Sequence, residues 1–224
     1  MLRTMLNPRG MPDTEFVVGV DLGQKQDYTA VSVVERSNLE TGEVCRVTYG
    51  RKKELTYWLR YLERVKLGTS YVDIVERVRE LVTDPNIVGR CTLVVDATGV
   101  GGPVVDLLKR AGLGCRMIPV MITGGDKESE SGGYWRVPKR ELVVGLQVMF
   151  EEKMLRIAGR IPETEVLMRE LMNMRVKVSE GGHDSYAGRD GAHDDLVLAV
   201  ALACWRARRK RYDMFGTRNI GIYG

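Results

Sequence analysis

Residues Phe16 to Ala30 read FVVGVDLGQKQDYTA, and the predicted fold is organised around them. The largely apolar run from Phe16 to Val20 is typical of a strand that is buried on both faces of a sheet, and Asp21 follows it directly. A polar bend at Gln24 to Asp27 and a β-branched run from Thr29 to Val34 predict a second, antiparallel strand. A carboxylate that ends a buried strand is unfavourable unless a metal, a cation or hydrogen bonds compensate its charge. Asp21 is therefore either a solvated acid where the strand emerges or part of a functional site.

The composition predicts one sizeable α/β domain and excludes a disordered chain. The chain has 224 residues, of which 44% are hydrophobic and 29% are charged. No apolar run approaches the length of a bilayer span, and the N-terminal residues are too few and too polar for a signal peptide, so we expect a cytoplasmic protein. The net charge of +4 is too small to indicate a polyanionic partner. The four cysteines form no CxxC pair, which argues against a zinc site or a disulfide framework.

Periodicity and turn residues predict the order of the elements along the chain. The first half is predicted to contain strands over 16–22, 28–36 and 43–50, a helix or irregular segment over 51–67, a helix over 69–82, a strand over 92–96, a glycine-rich turn over 97–103 and a helix over 104–110. The second half is predicted to contain a strand over 115–120, a mobile loop over 123–133, a helix over 137–152, an extended piece over 155–158, a helix over 163–174, a hairpin over 175–187 and a helix over 193–209. We expect an N-terminal arm over 1–15, one domain over 16–210 and a tail over 211–224.

Further aspartates stand at element ends in the same way as Asp21. Asp96 ends the buried-looking strand LVVD, and Asp194 and Asp195 open the last helix. Asp194 is explained equally well as a cap on that helix. Asp195 shares a helical face with apolar residues at spacings of three, four and seven, namely Leu198, Ala199 and Leu202. That face must pack on the sheet, so Asp21, Asp96 and Asp195 can converge if the two acidic strands are neighbours.

Several carboxylates in one place repel each other, and this predicts a divalent cation. Mg²⁺ and Mn²⁺ prefer oxygen ligands of this kind, and two such ions can activate water and stabilise the leaving oxygen in phosphodiester hydrolysis. His193 precedes the acidic pair and is a candidate for orienting water or a phosphate, although a helix-start position with no catalytic task explains it equally well.

Four stretches of the chain resemble, in the same order, the nuclease domain of phage terminase large subunits. They read GVDLGQKQDYTAVSVV, LVVDATGVGGPVVDLL, YWRVPKREL and GAHDDLVLAVALACW, and the resemblance extends from about Phe16 to Trp205. It implies an RNase H-like fold, in which three antiparallel strands and two parallel additions form a mixed central sheet between helices. It also implies two-metal cleavage of duplex DNA, and a location in the host cytoplasm.

The resemblance assigns roles to individual residues of this chain. The matching acids are Asp21 and Asp96 at the strand ends and Asp194 and Asp195 on the last helix; Asp21, Asp96 and Asp195 would hold two Mg²⁺ or Mn²⁺ ions. Asp27 lies in the matching hairpin, where it would support the metal site or, more simply, form the turn.

One feature of the resembled family is missing from the sequence. Terminase large subunits carry an ATPase motor before the nuclease, whereas this chain has no GxxxxGK[ST] pattern and only about fifteen residues before its first strand. We therefore expect that it does not package DNA alone. It is either an excised nuclease domain, a separately encoded partner of a motor, or a free-standing relative; the implied partners are duplex DNA and a separate ATPase motor, small terminase or portal protein.

Basic residues suggest where DNA would be bound. Lys139 and Arg140, Lys177 in the predicted hairpin and the basic run that starts at Arg206 are candidates for phosphate contacts that do not read sequence. Each of them is also explained as a solvated surface residue.

Other functions remain open at this point. An actin- or sugar-kinase-like ATPase would use the turns after Asp21 and Asp96 to bind phosphates, but it needs two such domains and has no use for the acids of the last helix. A dinucleotide site is disfavoured because Val104 stands where the third glycine is required. A non-catalytic DNA-binding module would keep the fold but has no reason to gather four aspartates.

Overall fold

A computed structural model describes residues 14–23, 27–44, 49, 51–99, 101–178, 184–187 and 193–213. Most of the predicted arm and tail lies outside these residues. The strands are β1 (Glu15–Asp21), β2 (Ala30–Val44), β3 (Arg51–Arg64), β4 (Cys91–Asp96), β5 (Arg116–Thr123), β6 (Ser129–Ser131), β7 (Tyr134–Pro138), β8 (Leu155–Ile157), β9 (Arg175–Val178) and β10 (Asp184–Ala187). The helices are α1 (Tyr71–Val82), α2 (Gly101–Arg110), α3 (Lys139–Glu151), α4 (Thr164–Asn173) and α5 (Asp195–Asp213).

Eight of these strands form one mixed sheet in the order β6-β7-β5-β4-β1-β2-β3-β8. Strands β1, β2 and β3 form an antiparallel meander, and β4 and β5 add to it in parallel beside β1. This is the arrangement of three antiparallel strands and two parallel additions that was predicted. Strands β9 and β10 pair separately as an antiparallel hairpin, in agreement with the prediction for 175–187, although the turn between them lies outside the described residues.

The prediction for the third strand was wrong, because residues 51–64 form β3 and not a helix or irregular segment. Strand β3 contains a β-bulge, since Tyr61 pairs with Val33 whereas Leu59 pairs with Val34, which leaves Arg60 as the extra residue. The bulge interrupts the two-residue alternation, so that the buried side chains on one face follow at unequal intervals, at Tyr57, Leu59 and Leu62. A search for strict alternation therefore misses this strand.

The predicted break between the strands over 28–36 and 43–50, with a turn at Asn38 to Gly42, was also wrong. These residues continue β2, where Asn38, Leu39 and Glu40 pair with β3 before a second irregularity in the register. Of the strand predicted over 43–50, the part up to Val44 belongs to β2, and most of the remainder lies outside the described residues.

The glycine-rich segment 123–133, predicted to be a mobile loop, contains strand β6 instead. Gly132 and Gly133 join β6 to β7 with φ angles of 61° and 78°. Two consecutive residues with positive φ form the tight turn that suits the twist of a hairpin, and glycine adopts them without strain. The following helix, predicted from residue 137, starts at Lys139 because Tyr134 to Pro138 are paired to β5 as β7.

The sheet separates two hydrophobic layers. Helices α1 and α2 cover one face, and α3, α4 and α5 cover the other, where α5 contributes an almost unbroken run of buried residues from Leu196 to Cys204. Helix α5 crosses the sheet at β1 and β2, where the Ser32 hydroxyl donates a hydrogen bond of 2.9 Å to the Ala199 carbonyl. None of the helices in the described part of the chain combines the length and apolar character needed to cross a membrane.

Candidate active site

Two buried aspartates stand side by side at the carboxyl ends of β1 and β4. The strands are parallel neighbours and Val20 is level with Val95, so Asp21 and Asp96, each one residue further along, end their strands at the same height. Asp21 is 9% exposed and Asp96 is 6% exposed. The side chains lie on the sheet face that α5 covers, because the flanking residues Val20 and Val95 pack in the opposite layer. The condition on which the convergence of the aspartates depends, that the two acidic strands are neighbours, is met.

The two carboxyl groups are in an electrostatically unfavourable position. Burial raises the pKa of Asp21 well above its ordinary value, and the negative charges of Asp96, Asp194 and Asp195 raise it further. Burial also raises the pKa of Asp96, but the effect is opposed by hydrogen bonds from Thr98, whose N–H donates at 2.8 Å, and by the charge of Lys139. Of the two carboxyl groups, Asp21 is the one whose charged form is opposed by burial and by like charges together. A cation bound at this place would reduce the electrostatic repulsion between the two carboxylates.

Helix α5 brings the second acidic pair to the same end of the sheet. The Asp194 carbonyl accepts the first helical hydrogen bond, from the Leu198 N–H at 2.9 Å, so Asp194 is the residue that precedes the helix and Asp195 is its first residue. Asp195 is 5% exposed, as its place on the apolar face predicts. The negative charges of both residues raise the pKa of Asp21, so they lie near enough to interact with it electrostatically. We call Asp21, Asp96, Asp194 and Asp195 the acidic cluster.

Asp194 and Asp195 are each paired with a basic side chain from another element. Lys139, the first residue of α3, places its Nζ 2.6 Å from Asp194 Oδ2. Arg64, the last residue of β3, donates from Nε to Asp195 Oδ2 at 2.8 Å and from Nη2 to Asp195 Oδ1 at 3.2 Å. Burial nevertheless raises the pKa of Asp195, against the opposing effect of Arg64.

Arg64 and Glu170 were not predicted from the sequence. Glu170, on α4, forms an ion pair with Arg64 and accepts hydrogen bonds at Oε2 from the N–H groups of Leu196 (3.1 Å) and Val197 (3.2 Å). Burial and the charge of Asp195 raise the pKa of Glu170 to about 7. A buried acid on the apolar face of an amphipathic helix is a signal in the sequence, but its partners are far away along the chain, 106 positions for Arg64 and 26 for Leu196.

His193 and Asp27 are both exposed beside the cluster. The His193 ring packs edge-on against Tyr28, with 4.9 Å between the ring centroids, and the Arg64 guanidinium lies 4.9 Å from the centre of the same Tyr28 ring. Asp27 stands in the turn between β1 and β2, where its carbonyl lies so close to Gly23 that a Cβ at Gly23 would come within 2.3 Å of it. The backbone of Asp27 thus shapes the turn.

The chain is similar in sequence to the large subunits of two phage terminases. It is 27% identical over 192 residues to the terminase large subunit of Thermus phage G20c and 28% identical over 193 residues to that of Thermus virus P23-45. Each alignment covers 86% of this chain and 32% of the relative, so the chain spans about a third of the length of the curated relatives it matches. No protein-family model matches the chain.

Solved nuclease domains share its architecture. The magnesium-bound large terminase nuclease of phage G20c superimposes with a TM-score of 0.58 and 22% sequence identity, covering 90% of each chain. The fold is that of a large terminase nuclease. The terminase nuclease domain of human cytomegalovirus, soaked with manganese, superimposes with a TM-score of 0.52 and 12% identity, covering 89% of this chain and 86% of that domain. The predicted resemblance and the RNase H-like fold class are confirmed.

Three residues of this terminase-like chain were predicted to contact DNA. Lys139 lies beside the acidic cluster, where it forms an ion pair with Asp194. Arg140 follows it on α3 and is exposed beside a shallow cavity that is also lined by Gly125, Asp126, Pro138, Glu141 and Val144. Lys177 lies on β9, and its side chain is outside the described residues. The basic run after Arg206 continues α5, but its side chains from Lys210 onwards are likewise outside the described part.

The side chains of the terminase-like site have the right chemistry for a hard divalent cation. All four members of the acidic cluster offer carboxylate oxygens, and the buried pair of Asp21 and Asp96 gains most from an added positive charge. Among the residues that the structure describes, however, no three acidic, histidine or cysteine side chains are grouped to hold a metal ion. Asp194 and Asp195 are paired with Lys139 and Arg64, so the donor set fits a metal if Asp194 turns from Lys139 or if Asp195 binds the ion with the lone pairs that Arg64 leaves open.

Proposed function

We propose that this chain is a metal-dependent endonuclease that hydrolyses phosphodiester bonds of duplex DNA. The observation that carries the proposal is the acidic cluster, in which Asp21 and Asp96 lie side by side and α5 adds Asp194 and Asp195. Several carboxylates close together repel each other unless a cation is bound. At the strand ends, next to Lys139, they provide the negative charge that would bind metal ions for phosphodiester hydrolysis.

In this proposal, Asp21, Asp96 and Asp195 hold two Mg²⁺ or Mn²⁺ ions, and Asp194 assists. When bound, the ions supply a nucleophilic water and stabilise the charge that develops on the leaving oxygen. Lys139 neutralises the charge of Asp194, and Arg64 neutralises that of Asp195. His193 lies close enough to lower the pKa of Asp195 and is exposed, so it can contact a phosphate or water at the cluster.

The relatives support this proposal and suggest the setting. The G20c nuclease has been crystallised with magnesium and with cobalt, and the cytomegalovirus domain has been soaked with manganese. The curated relatives are terminase large subunits. We infer that this chain cuts DNA in the host cytoplasm for a viral packaging machine, together with an ATPase motor, a small terminase or a portal protein.

Cleavage of supercoiled plasmid tests the function directly. We expect nicking and linearisation with Mg²⁺ or Mn²⁺, and none with EDTA. The variants Asp21→Asn and Asp96→Asn should lower the cleavage rate by at least about a hundredfold while the chain stays folded, because an amide replaces a charged oxygen ligand.

The matched control for both variants is Asp106→Asn. Asp106 is exposed on α2, in the layer on the opposite side of the sheet, where it pairs with Lys109 at 3.7 Å. This variant should cleave like the unchanged chain. Full activity of either cluster variant would overturn the assignment. Absence of cleavage by the folded, unchanged chain with every metal would favour a DNA-binding module without catalysis.

A further inference from the structure

We propose that Arg64 and Glu170 form a support that positions Asp195 in the active site. This inference rests on the nuclease function proposed above and assigns two positioning residues to it. Neither residue belongs to the acidic cluster, and neither lies in the four quoted stretches on which the resemblance to terminase nucleases was first based. Three features of the structure carry the inference: how α5 is capped, how Asp195 is oriented, and how deeply the charged side chains are buried.

The first feature is the cap of α5. A helix start leaves N–H groups without partners, and the residue before the helix usually accepts from them with its own side chain. Here the N–H groups of Leu196 and Val197 are both bonded to Glu170, which belongs to a different helix. Glu170 thus fixes the first turn of α5 to α4 and does for the helix what Asp194 would otherwise do. The Asp194 side chain is engaged with Lys139 instead.

The second feature is the fixed orientation of Asp195. Arg64 contacts both carboxylate oxygens of Asp195 and also reaches Glu170, so one guanidinium ties together the acid and the cap. The planar guanidinium imposes a direction that a lysine ammonium does not. Arg64 itself is placed at the right height because it pairs across the sheet with Ala30, which in turn pairs with Asp21. The Tyr28 ring at 4.9 Å confines the guanidinium further.

The third feature is the burial of the charged side chains of Asp195 and Glu170. The Asp195 and Glu170 side chains are each 7% exposed, and both share the single positive charge of Arg64. Taking ions out of water is costly, and buried ion pairs add little net stability compared with apolar residues of the same size. These contacts are better explained by a role in holding one carboxylate in one orientation than by a contribution to stability. Catalysis depends on geometry at the scale of a fraction of an ångström.

The test compares Arg64→Gln, Glu170→Gln and the double variant with Arg60→Gln in the full chain. Arg60 is a matched control, because it lies on the same strand and forms a similar, partly buried ion pair with Glu35 at 2.8 Å. Arg64→Lys is the conservative variant, which keeps the positive charge but not the planar arrangement of N–H donors in the guanidinium group. Glutamine at 170 has one carbonyl oxygen, so it can serve either Arg64 or the α5 N–H groups but not both.

Three quantities are measured for each variant: the melting temperature, the affinity for Mn²⁺ by calorimetry without DNA, and kcat and KM for plasmid cleavage. We expect Arg64→Gln to lower kcat at least tenfold while Mn²⁺ binding stays equal or becomes tighter, because a positive charge has left the site but the acid has lost its orientation. Arg64→Lys should recover part of kcat. The double variant should be no slower than the slower single variant, because both residues act through Asp195.

The positioning role is distinguishable from a purely structural one and from failure of the nuclease function. If Arg64→Gln shows the kcat of Arg60→Gln, or if its loss of kcat only follows a loss of Mn²⁺ affinity or of folded protein, the positioning role is wrong although the nuclease stands. Should Arg64→Gln not fold, the same criteria apply to Arg64→Lys and Glu170→Gln. If the unchanged chain neither cleaves DNA nor binds Mn²⁺, both proposals are overturned together.

Discussion

At the scale of a single residue, Gly19 determines how closely α5 can approach the sheet. A Cβ at this position would lie 2.1 Å from the Ala199 carbonyl oxygen and 2.9 Å from the Ala203 nitrogen, both of which are backbone atoms that cannot turn aside. Ser32, which is paired with Gly19 on β2, bonds to the same Ala199 carbonyl. Ala199 is one helical turn after Asp195, so the contact that glycine permits also fixes the depth at which Asp195 enters the cluster.

We predict that Gly19→Ala moves α5 away from β1. Overpacking a buried contact costs about 1–3 kcal/mol in the free energy of unfolding, and the rate of DNA cleavage should fall by more than stability alone explains because Asp195 is displaced. Chemical denaturation and plasmid cleavage measure the two effects.

The control for this substitution is Gly145→Ala. Gly145 lies inside α3, and its added Cβ would meet only the flexible end of the Arg208 side chain, at 3.0 Å. Alanine is the better helix former, so this variant should be unchanged or more stable by up to about 1 kcal/mol. A Gly19→Ala chain that behaves like Gly145→Ala would show that the close contact is not required.

At the scale of an element, the start of α3 concentrates positive charge next to the acidic cluster. Its first two residues are Lys139 and Arg140, and Pro138 before them provides no side-chain cap. Basic residues are normally found at the other end of a helix, since the helix start is itself positive. The unfavourable placement of two basic residues at the start of α3 is explained if this end of the helix faces the phosphates of DNA.

We predict that Arg140→Ala weakens DNA binding without affecting the metal site. Binding is measured by fluorescence anisotropy on a catalytically silent Asp96→Asn background over a range of salt concentrations. One lost phosphate contact should reduce the slope of log affinity against log salt by about 0.9. Arg110→Ala removes the same charge from an exposed position at the end of α2, on the opposite face of the sheet, and should leave the slope unchanged. Equal effects of the two variants would contradict a DNA-binding role for α3.

Elements with regular patterns were predictable from the sequence, and those that depend on irregular pairing were not. Strands β1 and β4 and helix α5 are each a nearly continuous run of buried residues, and such runs stand out in the sequence, which is why these elements were predicted. Strand β3 was missed because its bulge at Arg60 breaks the period. The support formed by Arg64 and Glu170 was missed for a different reason, since it depends on how α4 and β3 are placed around α5, which no local pattern encodes.

At the scale of the whole molecule, the proposed metal site would make the stability of the fold depend on a bound cation. Burial and like charges raise the pKa of Asp21 well above its usual range, so the charged cluster opposes folding. A cation that binds only the folded chain stabilises it by mass action, by about 2.7 kcal/mol at a hundred times the dissociation constant.

We predict that Mn²⁺ raises the melting temperature of the unchanged chain and that EDTA reverses the effect. In EDTA, Asp21→Asn should melt higher than the unchanged chain, by about 2–4 °C for each kcal/mol of relieved repulsion, and it should lose most of its response to Mn²⁺. Differential scanning calorimetry measures both shifts. An Asp21→Asn chain that melts lower in EDTA and still responds to Mn²⁺ would contradict this description of the cluster.

The position of α5 on the first strands also has a consequence for protein synthesis. The bond from Arg64 to Asp195 joins residues 131 positions apart, and β1 with Asp21 is made even earlier than Arg64. A ribosome adding about 5–20 residues per second needs on the order of ten seconds to cover that interval. During this time the nascent chain carries Asp21, and from residue 96 onwards also Asp96, but it lacks the helix that bears Asp195. If the chain has the proposed nuclease activity, that activity can begin only when the last described helix docks on the sheet.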